Sequence, residues 1–313
     1  MQHTLLAPFT LSSKGLHTGL DLTVTFLAAP AGSGLQVQRI DLPGEPIIAA
    51  LAENVVDTSR GTVIALPEDK NVRVSTIEHA MAALFACGVD NCLIQVDGPE
   101  FPILDGSSRF YVQQIHRVGL LEQDEPRNYL TIAEAVEYHD EKSGSWLRIE
   151  PPVANEPTPG PTPAGFSVEA TIYFDNSELI TTQTATLNNL GCFATDFATA
   201  RTFVFVREIA PLLQMNLIRG GDLTNALVIY DRIMAQEQLD QLADMLGVEH
   251  RDASHLGFLQ HRPLQWENEP ARHKLLDILG DMALVGRPIR GRLTAYKPGH
   301  TVNNKFARQL REL

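Results

Sequence analysis

Short apolar runs alternate with longer mixed stretches along this 313-residue chain. Residues 22–27 and 91–96 are dense in β-branched and apolar side chains, which predicts two strands. Between them, residues 75–87 read as a helix, with Ser75 placed as its N-cap. Glu78 stands three positions further on, the spacing of a capping box. A second helix is expected over residues 109–118, entered through the turn Asp105-Gly106-Ser107. Residues 121–127 are charged and include Pro126, and they mark a boundary between units spanning 1–123 and 124–313. Beyond it, residues 129–137, 146–149 and 166–174 predict strands, and the Pro/Gly-rich run 151–165 reads as a long hairpin loop. A helix-like start at Asp196, an apolar run over 203–206, a Gly220-Gly221 turn and a short strand at 226–230 follow. Residues 235–268 give a mixed pattern. Residues 270–285 are apolar on almost every side, so they predict a buried helix, and Pro270 suits its first position. A last strand, 291–296, leads into the loop Lys297-Pro298-Gly299-His300.

Composition narrows the function classes. The formal net charge of −13 argues against broad nucleic-acid binding. An anionic small substrate stays open, because Arg201, Arg207, Arg219, Lys274 and Lys297 lie near the segments of interest. Cys87, Cys92 and Cys192 are odd in number and lack CxxC spacing, which argues against a disulfide framework and a cysteine-based zinc site. No apolar run is long enough to cross a bilayer, and the first residues lack the pattern of a secretory signal. The expected setting is the cytoplasm. There is no internal repeat, heptad seam, P-loop or GxGxxG motif.

The chemistry centres on two places. His273 and Asp277 are four residues apart on the buried helix and project from one face. His79, preceded by Glu78, is the candidate third ligand. Two imidazoles, one carboxylate and an open fourth position form the donor set of a catalytic zinc, which acidifies water and polarises a carbonyl. Glu78 is the candidate general base, and His300, on its Pro-Gly turn, the candidate acid. Each residue also has a structural reading. Glu78 serves equally as a capping-box carboxylate, His79 as a helix histidine, and His273 with Asp277 as a hydrogen-bonded pair. His17, in Gly15-Leu16-His17-Thr18-Gly19, reads more as a structural turn residue than as a ligand.

Six segments occur in a fixed order. They are Gly15-Leu16-His17-Thr18-Gly19, Ser75-Thr76-Ile77-Glu78-His79, Pro102-Ile103-Leu104-Asp105-Gly106-Ser107, Ala200-Arg201-Thr202-Phe203, Arg272-His273-Lys274-Leu275-Leu276-Asp277 and Gly299-His300. In that order they resemble the UDP-3-O-acyl-N-acetylglucosamine deacetylases, zinc amidases of lipid A biosynthesis, over residues 11–306. The resemblance implies an α+β fold of two layered domains. Each is a β-sheet packed against two helices, with the helices facing each other between the domains.

It further implies zinc, or iron in its place, on His79, His273 and Asp277. Glu78 becomes the base, His300 the acid, and Asp281 the carboxylate that orients His300. Thr202 helps to hold the carbonyl oxygen, and Lys274 faces the substrate. An insert at 203–233 is expected to form an acyl passage, with Phe203, Phe205, Ile209 and Gly221 among the substrate-binding residues. Where many relatives have a Cys-containing stretch, this chain has Ser59-Arg60-Gly61. The run Asn268-Glu269-Pro270-Ala271-Arg272-His273 resembles a branch fused to a 3-hydroxyacyl carrier-protein dehydratase. No region of dehydratase length follows Leu313, so the chain is expected to be either an unfused monomer or part of a longer protein.

Overall fold

A computed structural model describes residues 1–152, 161–259 and 262–313. The N-terminal half builds a five-stranded sheet in the order Phe9–Lys14, Asp21–Ala28, Cys92–Val96, Leu35–Arg39, Ile47–Ala49. Asp21–Ala28 shows why one face is covered. Leu22, Val24 and Phe26 are buried on one side, while Thr23 and Thr25 alternate to the other. Helices α1 (Glu78–Cys87) and α2 (Arg109–Val118) belong to this half. Phe26 meets Tyr111 of α2 edge-on at 5.7 Å between ring centroids. Every residue of α1 is buried, so this helix is enclosed on all sides.

The chain leaves this layer after Leu120–Glu122, which pairs antiparallel with His3–Leu5. Leu130–Thr131 then joins a second sheet beside Ile289–Tyr296. That sheet runs Val136–Asp140, Ser145–Glu150, Ile289–Tyr296, Phe166–Tyr173, Thr182–Leu187. After the single-turn α3 (Phe193–Asp196) comes a smaller sheet of Phe203–Phe205, Leu227–Tyr230 and Gly257–Phe258. It carries α4 (Val206–Gln214) and α5 (Gln236–Leu246), around an apolar cluster of its own that includes Val206, Ile209, Val228 and Leu242. The unit begun at Phe203 therefore extends past residue 233, since Ile229 pairs with Phe258.

Two helices complete the fold, α6 (Glu269–Ala283) and α7 (His300–Arg311). Helices α1 and α6 touch through their backbones: a Cβ built on Gly280 would lie 2.2 Å from the Glu78 carbonyl oxygen. The result is the expected α+β sandwich, two sheets with helices meeting between them.

Several local expectations change. Ser75 does not cap α1. It bridges to Glu100 and donates its hydroxyl to the Pro99 carbonyl at 3.2 Å, so the helix begins later, at Glu78. Thr76, at φ 59°, makes the turn between bridge and helix. The predicted strand 129–137 divides into Leu130–Thr131 and the start of Val136–Asp140, which serve different places in the sheet. Asp196 ends a helix instead of starting one. His300 is not a loop residue: it is the first residue of α7, whose buried Val302, Phe306 and Leu310 recur every four positions. The loop expected over 151–165 lies partly outside the described residues.

Candidate active site

Glu78 and His79 are the first two residues of α1. Their placement is fixed from both sides. Thr76 donates its hydroxyl to the buried Glu100 carboxylate at 3.1 Å, and Ser108 donates to the His79 carbonyl at 2.7 Å. Glu100 also accepts the backbone N–H groups of His17 (2.8 Å) and Thr18 (2.9 Å). The turn at His17 and the start of α1 thus share one carboxylate.

Across the interface, α6 presents His273, Asp277 and Asp281 on successive turns. The candidate donor atoms of His79, His273 and Asp277 all lie within 4.8 Å of one another. His273 Nε2 is 3.4 Å, and His79 Nε2 4.0 Å, from Asp277 Oδ1. The two imidazoles meet edge to face, 5.0 Å apart. His273 donates its Nδ1–H to the Ala200 carbonyl at 2.9 Å, which fixes the tautomer and turns Nε2 toward the cluster.

The electrostatics suit a cation. Burial, with the neighbouring His273 second, pushes the His79 imidazolium down to about 3. Burial lowers His273 as well. Burial alone would raise the Asp277 carboxyl, but Lys274, His273 and His300 hold it well below the usual carboxylate range. The cluster therefore offers two neutral imidazoles and one carboxylate. Asp277 Oδ1 is buried and has no hydrogen-bond partner among the described residues, which is costly unless a ligand completes it. Orphaned oxygen and donor chemistry together fit a divalent metal.

Glu78 and His300 flank the cluster. Burial is the main cause that raises Glu78 to about 7, and the nearby Asp277 adds to it. The carboxylate accepts the Thr62 backbone N–H at 3.0 Å. Burial opposes the charge on His300, but Asp281 and Asp277 outweigh it and raise the group to about 9. His300 donates its Nδ1–H to Asp281 Oδ2 at 2.9 Å. Its Nε2 faces Glu78 Oε1 at 3.9 Å and Asp277 Oδ2 at 3.8 Å.

A cavity of about 550 Å³ opens over this group. Thr202, Phe203, Phe205, Ile209, Gly221 and Lys274 all line it. Lys274 Nζ donates to Asp277 Oδ2 at 2.8 Å and lies 5.3 Å from the Phe203 ring centre. Asp281 lines no part of the cavity and sits fully buried behind His300. Sequence reasoning set His17 aside as structural, yet it also lines the cavity, and both its ring nitrogens are buried without a partner among the described residues. Its flanking glycines were the available signal. A Cβ on Gly15 would come within 2.3 Å of Glu100 Oε2, so the turn has to be free of side chains to dock there.

The family model for the UDP-3-O-acyl N-acetylglycosamine deacetylases matches residues 2–251 and 252–312. The chain is 54% identical over 311 residues to the bifunctional enzyme LpxC/FabZ of Bacteroides thetaiotaomicron, and 53% identical to that of Porphyromonas gingivalis. Each alignment covers 99% of this chain and 64% of the relative, so the chain spans less than two-thirds of the length of those proteins. It is 37% identical to the UDP-3-O-acyl-N-acetylglucosamine deacetylase of Myxococcus xanthus, over 99% of this chain and 86% of that protein.

Proposed function

Because the chain belongs to the UDP-3-O-acyl N-acetylglycosamine deacetylase family, we propose that it hydrolyses the N-acetyl group of UDP-3-O-(3-hydroxyacyl)-N-acetylglucosamine. The products are acetate and the free amine, in the committed step of lipid A biosynthesis. The observation that carries this reading is the convergence of His79, His273 and Asp277 beside the raised carboxyl of Glu78, at the floor of the cavity. Zinc is the metal we assign to the three ligands, where it would polarise the acetamide carbonyl and acidify water.

The protein's own groups do the remaining work. Glu78, poised near neutral pH, takes a proton from the attacking water as its oxygen bonds to the acetamide carbon. Thr202, on the cavity wall, supplies a hydroxyl toward the carbonyl oxygen as negative charge gathers there. His300 is held as imidazolium by Asp281, so its charge steadies the same oxygen. It then gives the departing nitrogen its proton as the C–N bond breaks. Lys274 presents a cation to the anionic substrate from beside the cluster. Phe203, Phe205 and Ile209 offer an apolar wall to the acyl chain.

The relatives' bifunctional names support a working context beside a carrier-protein dehydratase in one longer protein. Among the described residues no helix is long and apolar enough to cross a membrane, which supports a cytoplasmic setting. The test is acetate release from the full nucleotide substrate, compared with analogues lacking the UDP or the acyl group. Equal rates on N-acetylglucosamine alone would overturn the assignment.

A further inference from the structure

Beyond the Thr62 N–H on Glu78, the stretch Ser59-Arg60-Gly61-Thr62 has no role in the chemistry described so far. Thr62 precedes the short strand Val63–Ala65, which pairs with Val55–Asp57 and Arg73–Val74, and it is fully buried. Its backbone N–H donates to Glu78 Oε2 at 3.0 Å. Its hydroxyl donates to Asp281 Oδ1 at 2.6 Å and also lies 3.2 Å from His300 Nδ1. Asp281 Oδ2 accepts from His300 Nδ1 and from Asn303 Nδ2, both at 2.9 Å. One residue of the N-terminal half therefore touches the base carboxylate and both members of the His300–Asp281 pair.

The approach depends on the residue before it. A Cβ on Gly61 would lie 2.8 Å from Glu78 Oε1, so a side chain at 61 would displace the carboxylate or the loop. Among the described residues, Thr62 is the donor that satisfies Asp281 Oδ1. Without the hydroxyl, a fully buried carboxylate oxygen loses that partner, and the His300 ring is held through Oδ2 alone. The backbone N–H of the same residue holds Glu78 on α1 while its hydroxyl holds Asp281 on α6.

We propose that Thr62 is a positioning residue for the deacetylation, fixing Glu78 and the His300–Asp281 pair in one frame across the two halves of the molecule. The proposal rests on the function assigned above. Outer groups of this kind are worth about 10–100-fold in activity.

The experiment compares Thr62→Val, which keeps the shape and the backbone N–H, with Thr62→Ser, which keeps the hydroxyl. Steady-state acetate release from the UDP-3-O-acyl substrate is measured on the metal-loaded full chain, with metal content and thermal unfolding recorded alongside. Thr62→Val is expected to lower kcat about 10–100-fold with KM and bound metal nearly unchanged, and Thr62→Ser to restore kcat nearly to wild type. A Thr62→Val protein with wild-type kcat, or a Thr62→Ser protein as slow as Thr62→Val, overturns the proposal. If Thr62→Val does not fold, Thr62→Ala against Thr62→Ser makes the same comparison. If the wild type releases no acetate, the functional assignment fails instead. Thr62 is then judged by the His300 Nδ1 proton resonance, which must shift in Thr62→Val and stay in Thr62→Ser.

Discussion

Gly280→Ala should damage the site without touching a single chemical group in it. The new Cβ would stand 2.2 Å from the Glu78 carbonyl oxygen, 2.8 Å from its carbonyl carbon and 3.0 Å from its Cα. These are all backbone atoms, so no rotamer change relieves the contact. Non-bonded carbon contacts settle near about 3.5 Å, which requires α1 and α6 to part by about 1 Å. Overpacking of this kind costs about 1–3 kcal/mol of stability. The larger effect is on the chemistry, because Glu78 and His79 ride on one helix and His273 and Asp277 on the other. A 1 Å misplacement of reacting groups is worth roughly 10²-fold in rate. Denaturant unfolding, chelator competition for the metal and acetate release measure stability, metal affinity and rate on one preparation. Gly257→Ala is the control, since nothing lies within 4 Å of a Cβ there. A Gly280→Ala enzyme with wild-type rate and metal affinity would show that the close packing of the two helices does not set the geometry of the site.

Other expectations follow from the same contacts. Glu78→Gln should lose about 10²–10⁴-fold in kcat while binding metal normally, read by single-turnover acetate release and metal analysis. In the metal-free protein, Glu78 should titrate near 7 and His300 near 9 by NMR. On the proposed mechanism Glu78 acts ionised and His300 protonated, so the rate should fall on the acid side of the first value and on the alkaline side of the second. A bound dication favours the deprotonated form of each group and should move both limbs of the pH–rate profile to lower pH; a limb displaced upward contradicts this. Glu269→Ala leaves the Arg201 guanidinium buried without the carboxylate that it meets at 2.8 Å and 3.1 Å. The expected loss is about 3–5 kcal/mol in denaturant unfolding. Metal affinity should weaken with it, because the neighbouring Ala200 carbonyl orients His273.

What could be read from the chain divides by the range of the interactions involved. Helix α6 was legible because Pro270 and an all-round apolar run are local signals, and its His273–Asp277 spacing places both side chains on one face. Ser75 looked like a cap because the capping-box spacing is local too. The bridge to Glu100 that claims it comes from a residue 25 positions away. Helix α7 was missed because its apolar residues are sparse among polar ones and begin directly behind Pro298-Gly299, which reads as a turn. The place of His17 on the cavity wall and the contacts of Thr62 were not legible for a different reason. Their partners, the cavity and the Asp281 carboxylate, exist only once distant parts of the chain have met. His79, His273 and Asp277, which the structure brings together, stood out by residue type and spacing, and the order of six short segments favoured the ligand reading over the structural role that each also has.

Stoichiometric metal restoration bears on the whole scheme. The protein is stripped with a chelator and titrated with Zn²⁺ while acetate release from UDP-3-O-acyl-N-acetylglucosamine is followed. Activity should be absent at the start, rise in proportion to added metal, and stop rising at one equivalent. Asp277→Ala should show no such titration. Full activity in the stripped protein, or an unchanged titration in Asp277→Ala, would mean that His79, His273 and Asp277 are not the metal site on which the reaction depends.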